Sequence, residues 1–252
     1  MTPRRVLITG AAGNLGDKLR RHLEGRYELR LLDRDARGDS QITAVDLSRP
    51  DSSLPALFAG VDAVVHLAAD PIAYHDWDEL LAPNVDALCN TYEAAAQAGV
   101  RRFVYASSNH VMGGYQDVPS VTITEDLPPR PGTRYTADGR PRESSAYAAA
   151  KLFGERLGRT YATLRGMEVV AVRIGWVWRG ANRAEDLPEE RGDWFRQIWL
   201  SNRDFVRLTE ACLTAELPEP FVIVNGMSRN VGGRWSLDVA QRVFGCEPLD
   251  GI

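Results

Sequence analysis

The stretch "RRVLITGAAGNLG" (4–16) decides the fold of this chain. Its first half, a run of Val, Leu and Ile that ends in glycine, predicts a short buried strand. Its second half places Gly10, Gly13 and Gly16 between that strand and a helix predicted over 14–24. Glycines in this position let the backbone turn tightly and approach a pyrophosphate, and the helix N-terminus offers free N–H donors. We therefore expect a dinucleotide site here; a purely structural turn is the alternative.

The rest of the chain continues the alternation of strands and helices. Strands are predicted over 4–10, 27–33, 41–47, 61–69, 100–108, 167–175 and 220–226, and helices over 14–24, about 88–97, 144–166 and 236–245. The segment 109–143 is rich in Pro, Gly and charge and predicts a long loop. This alternation is typical of an α/β fold, a Rossmann-like doubly wound parallel sheet. From about Trp176 the pattern loosens, which predicts a small C-terminal substrate lobe within one domain spanning 1–252.

Composition limits the classes of function. The 252 residues carry a net charge of −4, which argues against nucleic acid or an anionic membrane as the main partner. No apolar run approaches the roughly 20 residues of a membrane span. The three cysteines are scattered, which fits a reducing compartment and shows no metal-ligand spacing. We therefore expect no metal site. The chain begins directly with a strand, so we also expect a cytoplasmic protein without a signal peptide.

Acidic residues at two strand ends indicate which dinucleotide binds. Asp33 ends the second predicted strand. An acidic residue there accepts hydrogen bonds from both ribose hydroxyls and repels a 2′-phosphate, so we expect NAD rather than NADP. Arg34, beside it, weakens that preference. Asp46 ends the third strand, where its carboxylate either accepts from the adenine amino group or caps a turn.

Two further groups of polar residues predict chemistry next to that cofactor. Tyr147 and Lys151 share one face of a strong helix, and a nearby ammonium group favours the phenolate and lowers the pKa of the tyrosine. Lys151 is one of only two lysines, against 28 arginines. "SSNH" (107–110) follows an apolar strand, at the end of the sheet where ligands of open α/β folds bind. We expect these side chains to face the substrate.

The combined motifs resemble the extended short-chain dehydrogenase/reductase superfamily. They are the glycine turn, Asp33, "HLAA" (66–69), Asn84, "ASSNH" (106–110), Tyr147-x-x-x-Lys151 and "VRIG" (172–175). The narrower motifs "ASSNH", "RIG" and "WLSNRDF" (199–205) are similar to the uronate dehydrogenases and the NAD-dependent glucose-6-phosphate dehydrogenases. The loop "ADGRPRESSAY" (137–147) resembles the latter more.

The resemblance implies roles for individual residues. Ser108, Tyr147 and Lys151 would form the catalytic set, in which Tyr147 accepts the hydroxyl proton and Ser108 orients the oxygen. Asn109 and His110 would contact the substrate. Further cofactor contacts would come from the turn and the strand ends, namely Asn14, Leu15, Leu47, Leu67, Ala68, Ala69, Asn84 and Ile174. For Asn84 the alternative is a structural bond between its helix and the backbone, and for His110 a structural bond at the strand end.

Two positions depart from the uronate dehydrogenase pattern. Trp176 follows "RIG" in place of a small polar residue, and Asp70-Pro71 replaces a serine in the loop after the fourth strand. Trp176 either stacks on the substrate or packs between sheet and lobe. Arg191 and Arg196 are candidates to grip an anion in bidentate fashion, with surface solvation as the alternative. Trp77 and Trp199 are expected in the core.

These features predict an NAD-dependent oxidoreductase that acts on a polar, sugar-like small molecule. Oxidation of a uronate or an aldose at C1 is the first expectation. Two alternatives stay open at this point. One is a ketoreductase for a nucleoside-like or other cyclic polyhydroxy metabolite, and the other is a catalytically idle NAD-binding sensor or scaffold. The resemblance also implies a homodimer through the helices of about 76–98 and 144–165, whose alanines would allow close approach; the alternative is that these alanines pack on the sheet.

Overall fold

Seven parallel strands form a single sheet in the order β3-β2-β1-β4-β5-β8-β9 in this computed structural model, which describes residues 3–252. The strands of the sheet are β1 (Arg5–Thr9), β2 (Glu28–Asp33), β3 (Ile42–Ala44), β4 (Ala63–His66), β5 (Arg102–Ser108), β8 (Glu168–Ile174) and β9 (Phe221–Gly226). A separate antiparallel hairpin pairs β6 (Arg134–Ala137) with β7 (Arg140–Glu143). The predicted doubly wound parallel sheet is confirmed.

Helices cover both faces of the sheet. They are α1 (Asn14–Leu23), α2 (Leu54–Phe58), α3 (Trp77–Leu80), α4 (Ala87–Gln97), α5 (Ser145–Arg165), α6 (Gly192–Gln197), α7 (Asn202–Thr214) and α8 (Asp238–Arg242). A π-helical segment, Leu81–Asp86, joins α3 to α4. Apolar side chains of α1, α7 and α8 pack on one face, and those of α2, α4 and α5 pack on the other. The central strands are therefore almost wholly buried, which explains why they appear in the sequence as continuous apolar runs.

The strand order places a crevice at the carboxyl ends of the sheet. The chain runs outward from β1 to β3 and then crosses back to β4, on the other side of β1. Such a reversal is the place where open α/β sheets bind ligands. Asp33, the end of β4 and Ser108 all lie at this edge. The fold thus brings the predicted cofactor and substrate residues to one side of the sheet.

The prediction of a long loop over 109–143 was wrong at both ends of this range, whereas residues 116–133 contain no helix or strand. Residues Asn109–Tyr115 form a buried 3₁₀ helix, and β6 and β7 form a hairpin. The two turn residues Asp138 and Gly139 both have positive φ, 53° and 67°, as a type I′ turn requires. The dipeptide Asp-Gly is a sequence signal for such a turn, but β7 beside it is charged and largely exposed, so no apolar alternation continues through the hairpin.

A third apolar cluster, which we call the cap cluster, covers the carboxyl edge near Ser108. It joins residues of 111–123 to residues after Trp176, including Trp194, Phe195, Ile198 and Trp235. The chain after Trp176 therefore contributes both to this cluster and to the main sheet, to which it adds the strand β9 and, packed on one face, the helix α7. Within residues 3–252 no helix is long and apolar enough to cross a membrane.

Candidate active site

The glycine turn is packed so tightly that side chains are excluded from it. Gly10 has φ 70°, and a Cβ there would lie 2.7 Å from the backbone N of Ala68. A Cβ on Gly16 would lie 2.1 Å from the carbonyl oxygen of Gly10. α1 begins directly after Gly13 and runs for 10 residues, so its first N–H groups face the turn. This bare backbone at a helix N-terminus fits the pyrophosphate of a dinucleotide.

Asp33 stands beside that turn. Its Oδ2 accepts the N–H of Ala12 at 2.9 Å, and its Oδ1 accepts the N–H of Asp35 at 3.2 Å. These bonds fix the carboxylate while each oxygen keeps a further lone pair, which suits the two ribose hydroxyls of NAD. The neighbouring Arg34 is exposed.

The turn residues after Gly13 and the end of β3 also take structural roles. Asn14 donates from Nδ2 to the carbonyl of Val177 at 3.3 Å and accepts from Lys18, so it links α1 to the loop after β8. Leu15 packs on the apolar core. The carboxylate of Asp46 accepts the Ser48 hydroxyl at 2.7 Å, a contact that lowers the pKa of Asp46. Asp46 therefore caps a turn in this structure, which was the alternative to a contact with adenine. The neighbouring Leu47 is buried.

The loop after β4 carries Leu67, Ala68, Ala69 and Asp70, all half-buried at the crevice. The N–H of Ala68 donates to the Thr9 hydroxyl at 3.2 Å. Asn84 holds the loop from the π-helical segment. Its Oδ1 accepts the Asp70 N–H at 2.6 Å, and its Nδ2 donates to the Asp70 carbonyl at 3.2 Å. Both amide atoms of Asn84 thus make the structural bonds that were the alternative to cofactor contact.

Ser108, Tyr147 and Lys151 come together although they lie on two separate elements. Ser108 ends β5 and is buried. Tyr147 and Lys151 lie on α5, with the Lys151 Nζ 5.6 Å from the centre of the Tyr147 ring. Lys151 Nζ also donates to the Ala106 carbonyl at 2.9 Å, which holds the ammonium group against β5. The predicted catalytic set therefore has one location.

Burial dominates the electrostatics of these residues. It raises the pKa of Tyr147 above its ordinary value; the Ser108 hydroxyl acts in the opposite direction, and the negative charge of Asp70 adds to the rise. Burial also lowers the pKa of Lys151 to about 8. The expectation that Lys151 lowers the pKa of Tyr147 is therefore not met in this structure. Low-dielectric surroundings disfavour the phenolate more than the Ser108 hydroxyl favours it.

Asn109 and His110 follow Ser108 into the 3₁₀ helix and are both buried. Asn109 donates from Nδ2 to the carbonyl of Ile174 at 3.1 Å, at the end of β8. Its Oδ1 is buried and has no hydrogen-bond partner among residues 3–252. The ring of His110 meets that of Tyr147 edge-on, with centres 5.6 Å apart. His110 of "SSNH" thus lies beside Tyr147, whereas the Ser107 hydroxyl donates to Glu155 at 2.7 Å, so the expectation that all four side chains face the substrate is not met for Ser107.

Arg191 lies next to His110, with its guanidinium group near three aromatic rings. Its guanidinium carbon is 4.8 Å from the ring centre of Tyr135, 5.5 Å from Phe195 and 5.8 Å from Trp176. Its Nε is buried without a hydrogen-bond partner, and it forms no ion pair with a carboxylate within residues 3–252. Burial and then Arg191 lower the pKa of His110 to about 3, so the imidazole is neutral.

The other candidates for substrate contact differ in their surroundings. Trp176 is half-buried and packs edge-on against Trp178 and Phe195, with both ring centres 5.2 Å away. Asp70 contacts the Nδ1 of His75 at 3.0 Å. Arg196 is exposed, as surface solvation predicts. Trp77 is 44% exposed, so its expected place in the core was wrong, whereas Trp199 is buried.

Sequence reasoning missed several residues of the site. Tyr135, Thr133 and Arg142 belong to the hairpin region that was predicted to be loop, and Phe195 belongs to α6. Arg142 stacks on the Tyr74 ring at 4.2 Å, and its Nε is also buried without a partner among the described residues. Only the Asp-Gly turn signal pointed to this region, because its contacts with the site are all long-range.

A buried ion pair fastens the catalytic helix to the sheet. Glu155, one turn after Lys151, accepts from Arg173 at 2.9 and 3.0 Å and from the Ser107 hydroxyl at 2.7 Å. The side chains of Arg173 and Glu155 are 1% and 2% exposed. Because Ser107 precedes Ser108, the network fixes α5 and the end of β5 relative to each other.

The chain is similar in sequence and fold to known sugar dehydrogenases. The family model for the NAD dependent epimerase/dehydratase family matches residues 6–187. The NAD-dependent glucose-6-phosphate dehydrogenase of Haloferax volcanii is 35% identical over 97% of this chain and 93% of its own length. The NAD(P)-dependent L-arabinose 1-dehydrogenase of the same organism is 34% identical over 98% and 96%.

Among solved structures, glucuronic acid dehydrogenase from Chromohalobacter salexigens is similar throughout. The TM-score is 0.81 at 30% identity, and the match covers 99% of this chain and 85% of the other. The three proteins are named as dehydrogenases of a sugar phosphate, a sugar and a sugar acid.

Proposed function

Because this chain belongs to the NAD dependent epimerase/dehydratase family of extended short-chain dehydrogenases/reductases, we propose that it uses NAD to oxidise C1 of a cyclic sugar carrying an anionic group. The product is the corresponding lactone. The observation that supports an anionic substrate is the position of Arg191. This cation lies beside His110 and has no carboxylate partner among residues 3–252. A guanidinium with a buried, unpartnered N–H is satisfied best by a carboxylate or phosphate of the ligand.

Each residue at the proposed reacting centre has a separate role in the reaction. NAD supplies the hydride acceptor when it is bound. Tyr147, as phenolate, takes the proton of the C1 hydroxyl, and Ser108 holds the same oxygen by a hydrogen bond. The charge of Lys151 favours that phenolate. Asn109 offers its free Oδ1 and His110 its ring nitrogen to other substrate oxygens, which selects for a ligand with several hydroxyls.

The proposal is tested by a substrate panel that follows NADH absorbance. Glucose 6-phosphate and glucuronate represent the anionic class, and glucose and arabinose the neutral class. We expect higher kcat/KM for the anionic sugars, because only they pair with Arg191. Turnover of neutral sugars alone would contradict the anionic class, and no turnover of any sugar would contradict the enzyme assignment.

Replacement of Arg191 by glutamine is expected to reduce kcat/KM for the anionic sugar by about 10- to 100-fold, the range for a lost hydrogen bond to a charged group. The effect should lie mainly in KM, and neutral sugars should be affected much less. Arg196→Gln, on the exposed face of α6, is the matched control and should behave as the unaltered enzyme. Equal losses for both variants would indicate a general effect of net charge.

For the cofactor, we propose that Asp33 sets the preference for NAD. Asp33→Asn keeps the shape but removes the charge, so NADH should bind more weakly and NADPH should be rejected less strongly. Fluorescence titration of both reduced cofactors measures this, with Arg34→Gln as the neighbouring control. Tighter binding of NADPH than NADH by the unaltered chain would contradict the proposal and direct attention to Arg34.

We also propose a homodimer formed through α3, α4 and α5. Alanines that sequence patterns place at this interface, such as Ala94 and Ala148, are buried inside the chain. Larger apolar side chains are exposed instead on α3, on the π-helical segment that follows it and on α5: Trp77, Leu81, Phe153 and Leu164. Such a row on adjacent helices supports contact with a second copy.

Phe153→Arg is expected to convert this dimer to a monomer, because a charge would be buried without a partner in the interface. Light scattering at micromolar concentration measures the mass. Val231→Arg, at a residue 87% exposed and outside these helices, is the control and should remain dimeric. A monomeric mass for the unaltered chain would rule the dimer out.

The proposed location is the cytoplasm. All three cysteines are free thiols, and Cys212 and Cys246 are buried. Unpaired cysteines of this kind support a reducing compartment.

A further inference from the structure

Two hydroxyl groups converge on one nitrogen of His110. The Nδ1 atom lies 2.9 Å from the Thr133 hydroxyl and 2.8 Å from the Ser144 hydroxyl. Thr133 directly precedes β6, and Ser144 directly follows β7, so the two ends of the hairpin meet at the imidazole. The two ends are also joined, because the N–H of Thr133 donates to the Ser144 Oγ at 2.9 Å.

This contact is closely packed. Thr133 and Ser144 are 0% and 1% exposed. A Cβ on Gly113 would lie 2.1 Å from the Thr133 hydroxyl oxygen, so Thr133 reaches its place only because residue 113 is glycine. The two hydroxyls are therefore held in fixed positions, where water cannot replace the imidazole of His110 as their partner.

A count of donors fixes the position of the imidazole proton. Within residues 3–252 the only acceptor with which the structure pairs either hydroxyl proton is His110 Nδ1, while Ser144 Oγ itself accepts the Thr133 N–H. A proton on Nδ1 would leave both buried O–H groups without that acceptor. A lone pair on Nδ1 accepts from one of them. The second arrangement is preferred because unmade hydrogen bonds of buried donors are unfavourable. The Nε2 proton that it requires costs little, since Nε2 is not among the buried atoms that lack a partner and can donate to water or a ligand.

We propose that Thr133 and Ser144 are positioning residues that hold His110 in the tautomer protonated at Nε2, so that the ring donates one hydrogen bond to a substrate oxygen beside Tyr147. This rests on the proposed function for the identity of the substrate, but the tautomer itself does not depend on it.

A proton held on Nε2 would make His110 selective for the kind of ligand atom that it meets. Nε2 has no hydrogen-bond partner among residues 3–252, and the ring lies against Tyr147. As a fixed neutral donor it selects an acceptor oxygen and adds no charge, so pairing with the anion is left to Arg191. A ligand with an N–H at that position would be rejected, because two donors would face each other.

Nuclear magnetic resonance measures the tautomer directly, without substrate. Protein labelled with ¹⁵N-histidine is examined by long-range ¹H–¹⁵N correlation, and the signals of His110 are identified with His110→Gln. We expect Nε2 to carry the proton and Nδ1 to show the shift of a nitrogen that accepts a hydrogen bond. A proton on Nδ1 in the unaltered protein would overturn the inference, whatever the substrate is.

Kinetics test the effect on substrate. Thr133→Val removes one hydroxyl with almost no change in shape, and combination with Ser144→Ala removes both. For the double variant we expect KM to rise about tenfold, as for a lost hydrogen bond, with little change in kcat or in NADH binding. Thr133→Ser should restore the value. Thr209→Val, another buried threonine far from the site, is the control. An unchanged KM, or a loss equal to that of the control, would overturn the positioning role.

Discussion

Replacement of Tyr147 by phenylalanine is expected to reduce kcat by about 10²- to 10⁴-fold, the usual contribution of a positioned acid or base. The ring would keep its contact with His110, and Lys151 would keep its bond to the Ala106 carbonyl. NADH binding should therefore stay nearly unchanged. Stopped-flow measurement of hydride transfer together with NADH titration separates the two effects.

The pH dependence of the unaltered enzyme follows from the same residue. Burial raises the pKa of Tyr147, so the protonated phenol prevails at neutral pH. Sugar oxidation needs the deprotonated form, and its rate should increase with pH below the pKa of about 8 at which Lys151 loses its charge. Tyr147→Phe should lose this dependence. A Tyr147→Phe variant that retained most of its rate would remove Tyr147 from the proton transfer.

Removal of one partner of the Glu155–Arg173 pair is expected to lower the free energy of unfolding by about 3–5 kcal/mol, because the other charge is left buried alone. Arg173→Met leaves the Glu155 carboxylate with only the Ser107 hydroxyl, and Glu155→Gln leaves the guanidinium without a counter-charge. Denaturant unfolding monitored by fluorescence measures both variants.

Two controls test whether a loss of stability in the single variants comes from the buried ion pair. The double variant Glu155→Leu with Arg173→Met removes both charges and should be more stable than either single variant. Glu247→Gln breaks the exposed pair with Arg229 and should change the unfolding free energy by less than about 1 kcal/mol. If the single variants at 155 and 173 were as mild as that, the pair would not be what fastens α5 to the sheet.

The sequence by itself determined the parts of this protein whose signals are local. The glycine turn, Asp33 and the apolar strands are predictable because a tight turn, a helix start and a buried strand each require certain residues within a short stretch. Tyr147 and Lys151 are predictable because helical spacing alone places them on one face. The end of β5 carries "SSNH" to the crevice because parallel strands share a carboxyl edge.

Only the tertiary structure decided which distant side chains meet at that edge. The hairpin β6–β7 brings Thr133 and Ser144 to His110, and the turn just before α6 brings Arg191 to the same side. No local pattern encodes these contacts, because they depend on how the loops pack over the sheet. Burial is likewise a property of the whole fold. It raises the pKa of Tyr147, where the sequence alone suggested that a neighbouring lysine would lower it.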